Sequence, residues 1–171
     1  MSDEVYMRVA IEKAKEGMKY GQPPIGACIV RQGKVISSAH NKVFMNMDVT
    51  AHAEVQAIRE ACDKLDTINL SDCTLYSTSE PCSMCFMASH WAQIGRIVFG
   101  AQVEDATILR FEEIQHDSRQ NQSFLGSNIE LVENVLREEI LETLKPISRS
   151  DDRREIEKAM QEQKEQQKIK H

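Results

Sequence analysis

The sequence predicts a three-layer α/β/α domain, in which helices cover both faces of a central mixed sheet. Two short β-rich runs flank the turn signal RQGK, which predicts an antiparallel hairpin. Later β-rich runs alternate with helical segments, as the crossover between parallel strands requires. A chain of 171 residues has the length of one such domain with a sizeable core.

The first predicted elements are an amphipathic helix and the hairpin. Residues 5–19 place Val5, Val9, Ala10 and Met18 among charged residues, at a spacing that favours a helix with one buried face. The prolines of YGQPP end this helix, because proline cannot continue it. The hairpin strands are IGACIV and KVISSAH.

The remaining elements alternate between helix and strand, and residues 101–128 show no clear pattern. In chain order we expect a helix from His52 to about Asp63, the strand CTLYSTS, a helix over 83–92, the strand RIVFG, the strand NIELVE and a helix from Asn134 to Leu144.

Composition and charge limit the function classes. The net charge of −6 disfavours a nucleic-acid partner, whose phosphates attract basic surfaces. The N-terminal MSDEVYMRVA has no apolar signal core and no apolar run is long enough to span a membrane, so we expect a cytoplasmic protein without a membrane partner. Five cysteines, an odd number, do not indicate a disulfide framework.

Two regions are expected along the chain. Residues 1–147 form the folded domain, and residues 148–171 form a charged, helical C-terminal tail. From Asp151 to His171 the tail has six basic and six acidic residues among many glutamines, which is typical of a solvent-exposed appendage.

The stretch SEPCSMC contains a cysteine pair with three possible roles. Cys82 and Cys85 are a redox pair, half of a metal site, or two buried thiols. Thirty residues upstream, TAHAEVQAI supplies His52 and, two positions on, Glu54. One imidazole and two thiolates suit zinc, and three protein ligands leave the fourth position open, as in catalytic zinc sites.

The positions of these residues at predicted helix starts indicate their roles. Cys82 and Cys85 lie at one helix start and His52 at another, where the helix dipole favours thiolates. We interpret Glu54 as a proton carrier beside the metal and not as a ligand. Two alternatives remain: a thiol redox enzyme, and a non-catalytic zinc module whose fourth ligand is His40 or His90.

HAE followed by PCSMC resembles the signature of the zinc-dependent nucleobase and nucleoside deaminases. The resemblance covers about residues 4–147 and implies the cytidine deaminase-like fold, a Zn²⁺ cofactor, His52, Cys82 and Cys85 as ligands, and Glu54 as catalytic acid and base. It also implies substrate-binding positions at the residues that match the family's pocket. These are Asn41, Asp105, Ile25, Ala53 and Trp91.

The sequence resembles three subfamilies of these deaminases, which act on different substrates. HWA and the segment AQVEDATILRFEE resemble guanine deaminases, in which an aspartate contacts the purine, and Asp105 matches this aspartate. The alternative role for Asp105 is that of a helix cap before Ala106. Ile25 in PIGACIV resembles cytosine deaminases, and IGRIVFG resembles tRNA adenosine deaminases. We expect a small nucleobase, guanine first, and a homodimer with Phe86, Met87 and Trp91 as candidate contacts.

Overall fold

The computed structural model describes residues 2–106 and 117–144. The helices of this part are α1 (Asp3–Lys19), α2 (Val43–Asn46), α3 (Ala53–Leu65), α4 (Ser83–Trp91), α5 (Val103–Ala106), α6 (Ser118–Leu125) and α7 (Arg137–Leu144). The strands are β1 (Gly26–Arg31), β2 (Lys34–His40), β3 (Cys73–Ser79), β4 (Arg96–Ala101) and β5 (Glu130–Val132). The predicted tail, residues 148–171, lies outside the described residues.

The five strands form one mixed sheet in the order β2-β1-β3-β4-β5. β1 is antiparallel to both β2 and β3, whereas β3, β4 and β5 are parallel to one another. The register pairs Ser79 with Ala101, so the carboxyl ends of β3 and β4 meet at one edge of the sheet. The start of β1 lies at the same edge, because Ala27 pairs with Ser77.

Alternating side chains of the strands divide the core into two layers. Ala27 and Ile29 of β1 pack with α3 and α4 on one face. Cys28 and Val30 point to the other face, where they pack with α1 and with Ile140 of α7. Since successive strand residues point to opposite faces, both faces are apolar and both are covered by helices. The predicted three-layer fold is confirmed.

Helix α1 packs closely against β1 through Gly26. A Cβ atom at this position would lie 2.0 Å from the carbonyl oxygen of Ala10 and 2.5 Å from the backbone nitrogen of Ala14. The buried face of α1 consists of Tyr6, Met7, Ala10, Ile11, Ala14 and Gly17. Of the apolar residues that predicted this helix, Ala10 is buried, whereas Val5 is 43% exposed.

Most predicted elements agree with the structure to within two residues. The exceptions are the start of α7 and three short helices that the sequence does not predict, α2, α5 and α6. The last helix begins at Arg137 instead of Asn134, because Asn134 and Leu136 adopt left-handed φ angles of 63° and 54° that interrupt a helix. Within the described ranges, no helix has the length and apolarity required to cross a membrane.

Candidate active site

Three predicted ligands meet where α3 and α4 begin, at the carboxyl end of β3. His52 is the residue before α3, with an extended backbone at φ −63° and ψ 152°. Cys82 is in the same position before α4, at φ −61° and ψ 167°, and Cys85 follows in the first turn of that helix. His52 therefore precedes the regular turns of α3, and its ring points towards the two sulfurs.

The spacing of the three donor atoms fits a tetrahedral zinc ion. The Sγ atoms of Cys82 and Cys85 lie 3.7 Å and 3.6 Å from Nδ1 of His52. Zn–S bonds of about 2.3 Å and Zn–N bonds of about 2.0 Å at tetrahedral angles place sulfur and nitrogen ligands about 3.5 Å apart. All three donor atoms lie within 4.8 Å of one another. The donor set and its spacing therefore fit zinc.

The contact between the two thiols shifts their pKa values in opposite directions. A hydrogen bond from Cys85, together with His52, lowers the pKa of Cys82 to about 4, although burial opposes this shift. The same hydrogen bond, burial and the nearby carboxylate of Glu54 raise the pKa of Cys85. A cation bound between them favours the thiolate form of both side chains.

Glu54 lies in the first turn of α3, two positions after His52, and is 2% exposed. Its carboxylate is close enough to Cys85 to raise the pKa of that thiol. A buried carboxylate beside candidate metal ligands is a residue type that serves as general acid and base. The structure thus places Glu54 beside Cys85, one of the three donor residues.

The two histidines considered as a fourth ligand contact other groups. Nδ1 of His40 lies 2.7 Å from the carbonyl oxygen of Asn41, and Nδ1 of His90 lies 3.2 Å from Oγ of Ser127. Across the part of the chain that the structure describes, the only metal-binding group consists of His52, Cys82 and Cys85. Three candidate ligands without a fourth among the described residues fit a catalytic zinc site better than a closed structural one.

Asn41 lies at the same edge of the sheet and is 2% exposed. Its backbone N–H donates to the carbonyl oxygen of Ile25, and its Oδ1 accepts a 3.0 Å hydrogen bond from the backbone N–H of Val43. Sequence reasoning missed Gln22, whose buried Oε1 accepts from the next two N–H groups, those of Phe44 and Met45, at 3.1 Å each. Asn41 and Gln22 together hold the start of α2.

The structure gives Asp105 a partner that the sequence did not predict. One oxygen of its carboxylate lies 2.6 Å from Nη2 of Arg137, and the other lies 2.9 Å from Nε of Arg137 and 2.9 Å from the backbone nitrogen of Gln102. Burial favours a raised pKa, but Arg137 and Gln102 outweigh it and lower the pKa of Asp105. Asp105 therefore lies within the first turn of α5 and caps it by accepting the N–H of Gln102, so it is not the residue that precedes a helix starting at Ala106.

The other predicted pocket residues lie in different environments. Ile25 is 9% exposed and Ala53 is fully buried, and both belong to the core layer on the side of α3 and α4. Trp91 is 80% exposed at the last position of α4. Trp91 lies eight helical steps after Ser83, a rise of about 12 Å along the axis, and its contact with substrate stays a prediction.

The site and the fold identify the family. Residues 1–101 match the cytidine and deoxycytidylate deaminase zinc-binding region, and the chain belongs to this family. The protein is a zinc-dependent hydrolase of the deaminase class, so the predictions of family, enzyme class and cofactor are confirmed.

Two sequence relatives have different substrates in their names. The tRNA-specific adenosine deaminase of Aquifex aeolicus is 46% identical over 101 residues, which are 59% of this chain and 67% of the relative. The guanine deaminase of Bacillus subtilis is 40% identical over 114 residues, which are 66% of this chain and 73% of the relative.

Solved structures of both a guanine deaminase and a tRNA deaminase resemble this chain. A guanine deaminase from Nitrosomonas europaea superposes with a TM-score of 0.80 at 25% identity, covering 86% of this chain and 85% of its own. A tRNA:A34 deaminase that edits the wobble position superposes with a TM-score of 0.72 at 30% identity, covering 82% of this chain and 99% of its own. These likenesses establish deamination and do not single out guanine.

Proposed function

We propose that the protein hydrolyses the ring amine of a free nucleobase, with guanine as the first substrate to test. The observation that carries this proposal is the extent of the likeness to guanine deaminases. The match to the B. subtilis guanine deaminase spans 114 residues, compared with 101 for the A. aeolicus tRNA enzyme. The N. europaea guanine deaminase also superposes with the higher TM-score of the two structures compared.

Adenosine in tRNA is the second candidate, and the 46% identity with the A. aeolicus enzyme favours it. The net charge of −6 argues against it, because RNA binding relies on basic side chains that neutralise phosphates. Cytosine is the third candidate, through the resemblance at Ile25. These alternatives differ in substrate size, so one assay panel separates them.

The proposed ligands and acid–base group act together on one water molecule. His52, Cys82 and Cys85 would hold Zn²⁺, which when bound lowers the pKa of a water molecule towards about 7. Glu54 would accept the first proton of the attacking water and deliver it to the ring nitrogen beside the amine-bearing carbon. Glu54 then carries the second proton to the amine. A C–O bond forms, the C–N bond breaks, and ammonia leaves, so one water molecule is consumed.

Two polar residues are proposed to position the base. Because the N–H of Val43 engages Oδ1 of Asn41, the amide presents its Nδ2–H₂ end as a hydrogen-bond donor to a ring oxygen or nitrogen. Contact between Asp105 and the base remains a prediction. In the structure the carboxylate is engaged by Arg137, so a contact with substrate requires that ion pair to rearrange.

We also propose a homodimer, formed through the exposed aromatic side chains of α4 and α6. These helices pack together, and Trp91 and Phe124 are 80% and 82% exposed. Phe86 is fully buried within the chain, so the prediction that it contacts a partner is wrong. We expect sedimentation equilibrium at micromolar concentration to give twice the mass of the chain. A monomer under these conditions would contradict the proposal.

The test of substrate is ammonia release by the zinc-loaded protein. The panel contains guanine, cytosine, adenine, adenosine and a tRNA anticodon stem-loop with adenosine at the wobble position. The proposal predicts steady release from guanine, with a kcat/KM at least about tenfold above that of any other compound. Release from the stem-loop or from cytosine, with none from guanine, would show that the substrate belongs to another branch of the family.

A further inference from the structure

Glu80 is a buried carboxylate that the metal centre and the proposed proton transfers do not use. It follows β3 directly, and its backbone N–H donates a 2.7 Å hydrogen bond to the carbonyl oxygen of Ala101 at the end of β4. The residue is 8% exposed. Two positions further along the chain lies Cys82, so Glu80 belongs to the same turn as one of the proposed zinc ligands.

The two oxygens of Glu80 bind two different helices. Oε2 accepts a 3.1 Å hydrogen bond from the backbone N–H of Val103, the first residue of α5. Oε1 accepts a 2.6 Å hydrogen bond from the backbone N–H of Ser118, the first residue of α6. These partners are 23 and 38 residues away in sequence, so the contacts are purely tertiary.

The first N–H groups of a helix have no partner within that helix, and a negative charge at this end is favourable. The local capping groups of α6 leave this N–H group free for Glu80. Asp117 accepts a 2.7 Å hydrogen bond from Gln120, and Gln120 reaches back to the N–H of Asp117. One carboxylate therefore accepts the first N–H group of two helices and joins both helices to the turn that carries Cys82.

We propose that Glu80 is a positioning residue that fixes the starts of α5 and α6 relative to the metal centre and thereby sets the affinity for substrate. This role of Glu80 rests on the deaminase function proposed above, because it concerns the substrate site of that reaction. The predicted ligands lie at the starts of α3 and α4, whereas Asp105, the proposed contact to the base, lies on α5, whose first N–H group Glu80 joins to the Cys82 turn. Loss of the carboxylate therefore affects substrate binding more than zinc binding.

The test variant is Glu80→Gln, which keeps the shape of the side chain but replaces one acceptor oxygen with an NH₂ group. One of the two backbone N–H groups then faces a donor and loses its partner. Glu12→Gln is the matched control, because it removes the same charge from an exposed side chain of α1. Both variants are studied as full-length, zinc-loaded protein.

Three measurements decide the outcome: zinc per chain, amide hydrogen exchange at Val103 and Ser118, and KM and kcat for the best substrate of the panel. We expect Glu80→Gln to keep its zinc and to exchange faster at one or both amides. KM should rise about tenfold while kcat stays within about threefold, because the loss falls on binding shared by ground state and transition state. Glu12→Gln should match the unmodified protein in all three.

The inference is overturned if Glu80→Gln exchanges at both amides like the unmodified protein, if KM is unchanged, or if zinc is lost. Loss of zinc would make Glu80 part of the support of the metal centre instead of a device for positioning substrate. If the unmodified protein releases no ammonia from any compound of the panel, the proposed function fails. The exchange comparison still decides in that case, and unchanged exchange refutes the anchoring role of Glu80 by itself.

Discussion

Replacing Glu54 with glutamine tests the proposed proton carrier with little change in shape. The side chain is 2% exposed in the first turn of α3, so a substitution of different size would disturb the packing around the metal centre. Glutamine has nearly the same volume as glutamate, and its amide cannot accept and release a proton at neutral pH. We therefore expect Glu54→Gln to fold and to bind zinc like the unmodified protein.

The expected loss of turnover follows from the role assigned to this carboxylate. Removing a positioned general acid–base group typically reduces kcat by about 10²–10⁴-fold. At about 1.4 kcal/mol per tenfold change, this range corresponds to about 2.7–5.5 kcal/mol in the activation barrier. Since Glu54 would carry both protons of the reaction, we expect a loss near the upper end of the range, with a much smaller effect on KM.

The assay measures ammonia release and zinc content of Glu54→Gln beside Glu60→Gln. Glu60 lies on the same helix but away from the metal centre, and its carboxylate is 3.9 Å from Nζ of Lys42. Glu60→Gln should retain activity within about twofold, as expected for a partly exposed charge outside the site. A Glu54→Gln protein with at least a tenth of the unmodified kcat would refute the reasoning.

Two further predictions concern the stability of the fold. Gly26→Ala places a Cβ atom 2.0 Å from the backbone of α1, so we expect the free energy of unfolding in urea to fall by about 3 kcal/mol. The control Gly126→Ala has no steric conflict and only a left-handed φ of 60°, so we expect a fall of about 1–2 kcal/mol. Equal losses in the two variants would contradict the steric argument. Hydrogen bonds from Arg96 and, to a smaller extent, Tyr76 lower the pKa of Asp3 below its ordinary 3.8, although burial opposes this shift. The Asp3 carboxylate therefore stabilises the fold above pH 3.8, and this contribution is lost as pH falls through the lower folded-state pKa. The stability difference between the unmodified protein and Asp3→Asn should therefore shrink below pH 3.8, and a difference that stays constant down to pH 2 would show that the ion pair has no such role.

The metal centre was predictable because its signal is local. His52 and Glu54 lie two residues apart, Cys82 and Cys85 lie three apart, and each pair coincides with a predicted helix start. The zinc chemistry of this donor set then limits the possible functions. The layered fold was predictable for a similar reason, since strand and helix periodicities differ along the chain.

The short helices escaped prediction mainly because distant residues stabilise them. Gln22 holds the start of α2 from a position 22 residues away, and Glu80 holds α5 and α6. Arg137, the partner of Asp105, is 32 residues away from it in sequence. No short-range pattern carries such information. The helix α6 also has a local signal, the capping box of Asp117 and Gln120, so its start could have been recognised in the sequence.

We propose that deamination requires one zinc ion held by His52, Cys82 and Cys85, and a zinc titration of the metal-free protein tests this requirement directly. Ammonia release from the best substrate of the panel is measured as zinc is added, beside Cys82→Ser and Cys62→Ser. Cys62, a partly buried free thiol of α3, serves as the control. We predict activity that saturates at one zinc per chain in the unmodified protein and in Cys62→Ser, with activity and zinc lost together in Cys82→Ser. Full activity without zinc, or one tightly bound zinc in Cys82→Ser with normal turnover, would contradict the claim.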